Sequence, residues 1–318
     1  MIEVLPAWFH GPVMLLLALA YDLALGEPPA FLHPVVWVGR LISGLERLTS
    51  KTGRRRQLVY GAAIVILVVS GVAAGCWWLM GYLGQVSAIA QIVVGAFLLK
   101  STFSLRELFR AAERVRRPLV DGQLALARRE LRALVSRDTS GLGKSLLAAA
   151  AVESVAENSS DSLMAPLLYF ALFGVPGAVA YRVLNTFDSM IGYHGQYEYL
   201  GKFAARLDDL VNWAPARLTA LIMVAACRLT GHDAARAWRV LQRHHGRTES
   251  PNAGWPMSVM AGALGVQLEK VGHYRLGEAR QPVSEVTISQ SMRLAWATCL
   301  LGLALLVLVE VAVYARFV

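Results

Sequence analysis

The sequence predicts an all-α protein that crosses a lipid bilayer several times, a polytopic helical membrane domain running over residues 1–318. Three observations predict it. Hydrophobic residues fill 56% of the chain and charged residues only 17%, with a mean hydropathy of +0.47, which is more apolar surface than a water-soluble core can hide. No charged side chain stands between Arg56 and Lys100, so the 43 positions from Gln57 to Leu99 are uncharged. At about 1.5 Å rise per residue, that run crosses a roughly 30 Å hydrocarbon layer about twice. The arginines gather beside the apolar runs and not along an aromatic-interleaved groove, so the formal charge of +9 points to orientation in a membrane, with no nucleic-acid partner. A soluble protein, a disordered chain and a secreted disulfide scaffold are excluded. Cys76, Cys227 and Cys299 lie far apart in apolar surroundings and read as small core residues.

Four clear spans are expected, at about residues 8–25, 58–79, 87–103 and 294–314. The first, Trp8 to Leu25, is charge-free until Asp22 and lacks a small-residue cleavage pattern after a basic start, so it reads as a retained helix. Gly81-Tyr82-Leu83-Gly84 is expected to turn the chain between the second and third, and Glu310 sits near the end of the fourth. Two further apolar stretches read as half-helices or re-entrant segments: Ser162 to Tyr181 is interrupted by Pro166 and Pro176, and Leu218 to Cys227 is short. Broken helices persist at membrane depth only where protein or a wet cavity satisfies the freed backbone, so this region is a candidate site wall.

Arg47, Lys51, Arg54, Arg55 and Arg56 separate the first two spans, whereas Gly81 to Gln91 carries no charge; the basic loop is expected in the cytoplasm and the bare one outside. Eight arginines between Arg106 and Arg132 crowd two helical stretches with a break expected at Pro118. The polar segments at about 104–161 and 231–290 are therefore assigned to the cytoplasm, the second as helical patches joined by Gly/Pro-rich turns.

Four polar clusters stand out in so apolar a chain. In A-A-V-E-S-V-A-E-N-S-S-D, Glu153, Glu157 and Asp161 recur every four residues on one helical face, where mutual repulsion is costly without a cation; the competing reading is a solvated face. In Y-R-V-L-N-T-F-D-S-M-I-G-Y, Arg182, Asn185 and Asp188 share helical spacing and suit Mg²⁺ with a phosphate or carboxylate ligand, or else an internal salt bridge. A-R-L-D-D-L-V-N-W adds Asp208, Asp209 and Asn212, which also fit an ordinary polar helix end. Near the N-terminus, Asp22 is followed by a Gly/Pro-rich turn, then His33, Trp37 and Arg40 on a short amphipathic helix; His33 is either a reactive group or a satisfied structural donor.

D-T-S-G-L-G-K-S imitates the tail of a phosphate-binding P-loop, but Asp138 stands where that loop needs glycine and no strand precedes it. Thr139 or Ser140 is expected instead to cap the helix that carries the acidic stripe. S-P-N-A-G-W-P, Ser250 to Pro256, is either a bend or an anion cradle.

These strings together resemble one family. G-E-P-P-x3-H-P-V-x-W-x-G-R, S-R-D-T-S-G-L, A-V-E-S-V-A-E-N-S-S-D, N-T-F-D-S-M-I-G-Y, R-L-D-D-L-x-N-W-x-P-A-R and S-P-N-A-G-W-P-M look like those of adenosylcobinamide-phosphate synthase, an integral membrane enzyme of cobalamin biosynthesis, in order from about Asp22 to Arg275. Glu27 departs from the aspartate usual in that family, and Lys144 is outside its pattern. The resemblance implies a ligase joining adenosylcobyric acid to aminopropanol or its phosphate, consuming ATP with Mg²⁺, in the cytoplasmic membrane with its site facing the cytoplasm. It implies Glu157, Asp188 and Asp161 as catalytic groups. Arg182, Arg137, Arg40, His33, Asn252, Trp255 and Tyr193 would bind substrate or phosphate. Glu153, Glu157, Asp161, Asn185 and Asp188 would hold metal. Trp37, Tyr193 and Trp255 would border the corrin ring or anchor at the membrane surface. Other membrane enzymes of late cobalamin assembly are the expected protein partners. A membrane sensor of the same superfamily and a small-molecule transporter are the alternatives, the latter using the stripe and broken helices as an ion path.

Overall fold

The computed structural model describes residues 10–49, 53–193, 195 and 197–314, with side chains described as far as residue 308. Trp8, Lys51 and the Glu310 side chain lie outside the described part. Thirteen α-helices account for most of it: α1 His10–Ala24, α2 Pro34–Arg47, α3 Arg54–Val86, α4 Ala88–Lys100, α5 Leu105–Val120, α6 Leu124–Leu131, α7 Lys144–Ser159, α8 Ala165–Ile191, α9 Lys202–Val211, α10 Trp213–Leu229, α11 Ala234–His244, α12 Gly254–Leu264 and α13 Glu285–Tyr314. A π-helical turn, Ser160–Met164, joins α7 to α8.

Four helical stretches are long and apolar enough to cross a membrane: Arg54–Val86, Ala88–Val120, Lys144–Ile191 and Glu285–Leu308; α9 and α10 form a broken pair that would make a fifth. Three of these overlap expected spans. The fourth is the proline-interrupted stretch, lengthened because α7 runs through the π-turn into α8. Conversely, the 15 described residues of α1 rise only about 22 Å, short of a roughly 30 Å hydrocarbon layer.

Local signals were redistributed as well. Gly81 and Gly84 stay inside α3, and the chain turns at Ser87, whose Oγ accepts from the Ala90 N–H at 3.3 Å to start α4. Gln91 reaches back across the turn, donating to the Met80 carbonyl at 3.1 Å. Pro118 lies in the last turn of α5 without breaking it; Gly122 at φ +73° closes that helix, with the Gln123 N–H donating to the Pro118 carbonyl at 2.8 Å. The break expected in 162–181 falls at Gly174, φ +66°, two residues before Pro176, while Pro166 sits harmlessly in the first turn of α8.

By contact, the chain divides into two compact units. The first comprises residues up to Ser104, Ala165–Val211 and those from Leu305 on. Its core gathers Ile42 from α2, Ile64 and Val65 from α3, Leu184, Phe187 and Ile191 from α8, and Ala204 from α9. Two glycines let backbone touch backbone: a β-carbon on Gly61 would collide with the Leu200 carbonyl, and one on Gly201 with that of Ile191.

The second unit comprises Leu105–Met164 and Asn212–Ala304. Here the alanine-rich α7 is buried from Leu147 to Ala156, and α12 is buried along nearly its whole length. Arg236 of α11 donates to the Gly262 and Ala263 carbonyls at 2.6 and 3.0 Å, satisfying the C-terminal end of α12. This unit also holds one antiparallel hairpin, β1 Gln267–Lys270 and β2 Tyr274–Gly277, with Leu268 opposite Leu276, in a segment expected to contain only helix and turn.

Candidate functional site

The expected site residues fall into two sets, one in each unit. In the second unit, Arg137 leaves the loop before α7 and donates from Nη2 to Glu153 Oε2 at 2.9 Å, with Glu153 only 5% exposed. The Tyr274 hydroxyl, carried in by β2, interacts with the same carboxylate. Burial, joined by the negative charges of Glu153 and Glu157, pushes the Tyr274 phenol above its ordinary value, so it stays a neutral donor. Glu157, one turn along α7, is half-buried. Asp161 belongs to the π-turn, so the stripe is not carried by one regular helix through its third member.

The stripe's uncharged polar neighbours are tied down. Ser154 Oγ donates to the Leu134 carbonyl at 3.0 Å, Asn158 Nδ2 to the Ser154 carbonyl at 2.9 Å, and Ser162 Oγ to Asn158 Oδ1 at 2.7 Å. Thr139 and Ser140 do not cap α7, whose N-cap is Gly143 without a side-chain bond. Thr139 instead donates to the Arg128 carbonyl at 2.9 Å, and Ser140 donates from N and Oγ to Asp138 at 2.9 and 2.8 Å, a turn closed on its own aspartate. Lys144, outside the resemblance, pairs with Glu285 at 3.1 Å.

The S-P-N-A-G-W-P string forms the entry to α12. Ser250 Oγ accepts from the Asn252 and Ala253 N–H groups at 3.2 and 3.4 Å, and Asn252 is 3% exposed. Gly254 is required there because a β-carbon would collide with the His245 carbonyl. Trp255 packs against the Arg217 guanidinium, 4.5 Å from ring centre to Cζ.

In the first unit, Arg182 Nη1 donates to Asn185 Oδ1 at 3.2 Å, and Asn185 Nδ2 reaches Asp208 Oδ1 at 3.5 Å, bringing α8 and α9 into one polar cluster. Asp188 lies one turn on from Asn185, within electrostatic reach of Asp209. Gly192 follows it because any side chain would strike the Asp188 carboxylate. Tyr193 and Arg40 are exposed.

His33 serves a structural purpose at its own position: it caps α2, its Nδ1 accepting from the Val35 N–H at 3.3 Å, while Nε2 meets Glu27 Oε2 at 2.9 Å. Glu27 is the hub of a cluster that sequence reasoning left out. It also accepts from Ser104 Oγ, and from Lys100 Nζ at 3.0 Å. Lys100 is fully buried and pairs with Asp22, itself 0% exposed, at 3.0 Å. Glu27 thus makes an ion pair with a lysine from the end of α4.

Burial raises the Glu27 carboxyl, but the bonds from His33 and Ser104 and the Lys100 charge outweigh it and hold the group at about 2, below its ordinary 4.5. A depressed carboxylate stabilises the fold above its unfolded value and loses that contribution as the pH falls through the folded one. Wild-type melting temperature is therefore expected to fall between pH 4.5 and pH 2 more steeply than that of Glu27→Gln. Parallel slopes in the two proteins would show that Glu27 does not carry this pH dependence.

Among the described residues, no three His, Cys, Asp or Glu side chains converge into a metal-binding group. The donors present, carboxylates and one amide, are hard oxygen ligands. They suit Mg²⁺ bound through one or two carboxylates and completed by substrate phosphates, not a closed protein cage.

A helical protein with four membrane-length stretches and ionic groups buried among them belongs to the class of multi-pass membrane proteins, in which such groups are expensive and serve function. The chain belongs to the CobD/CbiB family: the family model described as CobD/Cbib protein matches residues 15–297. It is 50% identical over 280 residues to the cobalamin biosynthesis protein CobD of Dehalococcoides mccartyi, covering 88% of this chain and 91% of that one. The CobD protein of Geobacter metallireducens is 38% identical over 301 residues, covering 91% and 94%, and the CbiB protein of Salmonella typhi 38% over 312, covering 92% and 95%. No solved structure matches.

Proposed function

We propose that this protein acts in cobalamin biosynthesis as an amide-forming ligase, joining adenosylcobyric acid to aminopropanol or aminopropanol phosphate with consumption of ATP. The observation that carries this reading is the family match over residues 15–297, together with relatives named for cobalamin biosynthesis over nine-tenths of their length. A carboxylate does not accept an amine at neutral pH, so its oxygen first takes the terminal phosphoryl group of ATP, releasing ADP. The amine nitrogen then attacks the acyl carbon, and inorganic phosphate departs as the amide bond forms.

Mg²⁺, held through Asp188 and Asn185 or through Glu157 and Asp161, would neutralise phosphoryl charge. The chain's own residues account for the remainder. Either Arg137 with Glu157 in the second unit or Arg182 with Asp188 in the first supplies a guanidinium for the phosphate oxygens and a carboxylate that accepts the proton the amine must lose. Incubating purified protein with adenosylcobyric acid, ATP, Mg²⁺ and each amine, followed by mass spectrometry, tests the reading. Failure to form amide with either amine would overturn it.

Arg182→Lys is expected to raise the Michaelis constant for a phosphorylated substrate by one to two orders of magnitude, roughly 1.4 to 2.8 kcal/mol, because an ammonium cannot reproduce the bidentate fork. Should Arg182 only orient α8 through Asn185, the variant would melt earlier with unchanged Michaelis constants.

We place the protein in the cytoplasmic membrane with its site facing the cytoplasm, following the arginine bias around α5 and α6. Single cysteines at Gly122 and Gly272 should be shielded from an impermeant thiol reagent in intact cells, and one at Gln85 labelled. Labelling at Gly122 would reverse the assignment.

A further inference from the structure

Arg217, near the start of α10, lies over two indole rings. Its Cζ lies 4.4 Å from the Trp213 ring centre and 4.5 Å from that of Trp255, and the His245 ring packs on Trp255 in turn at 4.6 Å. Nη1 donates to the Trp213 carbonyl at 2.7 Å and to Asn252 Oδ1 at 3.2 Å. Those two contacts fix the plane of the group and occupy one nitrogen. Nε and Nη2 have no hydrogen bond within the described protein, and no carboxylate there lies within ion-pair distance of this half-buried cation.

A guanidinium packed against two indoles and left without a counter-charge is costly on its own. Its free Nε/Nη2 edge is the two-pronged donor that matches a pair of anionic oxygens. The buried Trp255 indole N–H, in the same stack, also has no hydrogen-bond partner. A carboxylate's two oxygens lie in the plane of the fork, whereas a tetrahedral phosphate adds oxygens out of that plane that can meet another donor. We propose that Arg217, clamped by Trp213, Trp255 and Asn252, is a receptor for a phosphate group. That phosphate belongs either to a soluble phosphorylated substrate or to a lipid headgroup, since exposed Trp213 opens an apolar helix as interface residues do.

This deepens the ligation reading, which expects Asn252 and Trp255 to meet substrate or phosphate, and its test is separable from that reading because binding is read without ATP, corrinoid or amine. Purified protein in phosphate-free detergent would be titrated calorimetrically with inorganic pyrophosphate and, separately, with short-chain phosphatidic acid. At least one probe is expected to bind, and the tighter one identifies the source. Arg217→Lys should weaken it about tenfold or more, since a lysine keeps the charge but loses the planar fork. Asn252→Asp is the second variant: it places a carboxylate 3.2 Å from Nη1, neutralising the cation in its own clamp. A purely structural Arg217 predicts that this change leaves probe affinity untouched; a phosphate receptor predicts a comparable tenfold loss without a lower melting temperature. No binding of either probe to the wild-type protein, or binding unchanged in folded Arg217→Lys or Asn252→Asp, would overturn the proposal.

Discussion

Replacing Lys100 by methionine should destabilise the protein by about 3–5 kcal/mol, the cost of leaving a buried charge uncompensated. The ammonium is fully buried and lies 3.0 Å from both Asp22 and Glu27, and it also donates to the Phe103 carbonyl at 3.2 Å. Glu27 keeps its His33 and Ser104 contacts and some access to water, so it tolerates the loss. Asp22 is 0% exposed and cannot turn to water in the same way. Methionine matches the length of the lysine stem, which confines the effect to charge and hydrogen bonding. The expected rescue makes the test specific: Asp22→Asn added to Lys100→Met should recover much of the lost stability, because pairing and not packing is what the first change removes. Chemical unfolding of the four proteins in one detergent would measure the coupling. A Lys100→Met protein as stable as wild type would mean that Asp22 finds its compensation elsewhere.

That cluster marks where the sequence stopped being legible. Gln57 to Leu99 announces α3 and α4 by lack of charge alone, because a bilayer selects on composition over a fixed length. Asp22 and Lys100 give no such signal: each ends an apolar run like any interfacial charge, and only folding shows that two runs end against each other. Tyr274 was hidden for another reason. Q-L-E-K and Y-R-L-G are too short and mixed to show a strand period, so the hairpin that brings a phenol to Glu153 looked like turn. Spacing did read the first two members of the acidic stripe, since residues four apart share a helical face. It did not read the π-turn at Ser160–Met164, where the i−4 carbonyl that Pro166 leaves without a donor belongs to Ser162. Arg137 became a partner of Glu153 through a loop whose fold depends on Thr139 and Ser140, which local propensity had assigned to capping.

Glu157→Gln should lower amide formation by about two to four orders of magnitude, the range general acid–base groups contribute, while leaving the protein folded. The three acids of the stripe differ in a way that makes this the decisive substitution. Glu153 is buried against Arg137, so Glu153→Gln removes half of an ion pair and should cost stability as well as activity, which confounds its kinetics. Asp161 lies in the π-turn, where a change of side chain also perturbs an irregular backbone. Glu157 is half-buried on regular helix, one turn from Glu153, and the amide of glutamine keeps its shape while giving up its charge and basicity. If Glu157 accepts the amine's proton, the loss should appear in turnover with substrate binding little changed, and it should shrink as rising pH deprotonates the free amine in solution. If it instead holds Mg²⁺ beside the nucleotide, raising the Mg²⁺ concentration should restore activity in part, since a lost ligand weakens metal binding without abolishing it. Unchanged turnover in folded Glu157→Gln at every pH and Mg²⁺ concentration would leave the stripe a structural feature built on the Arg137–Glu153 pair and move the search for the base to Asp188.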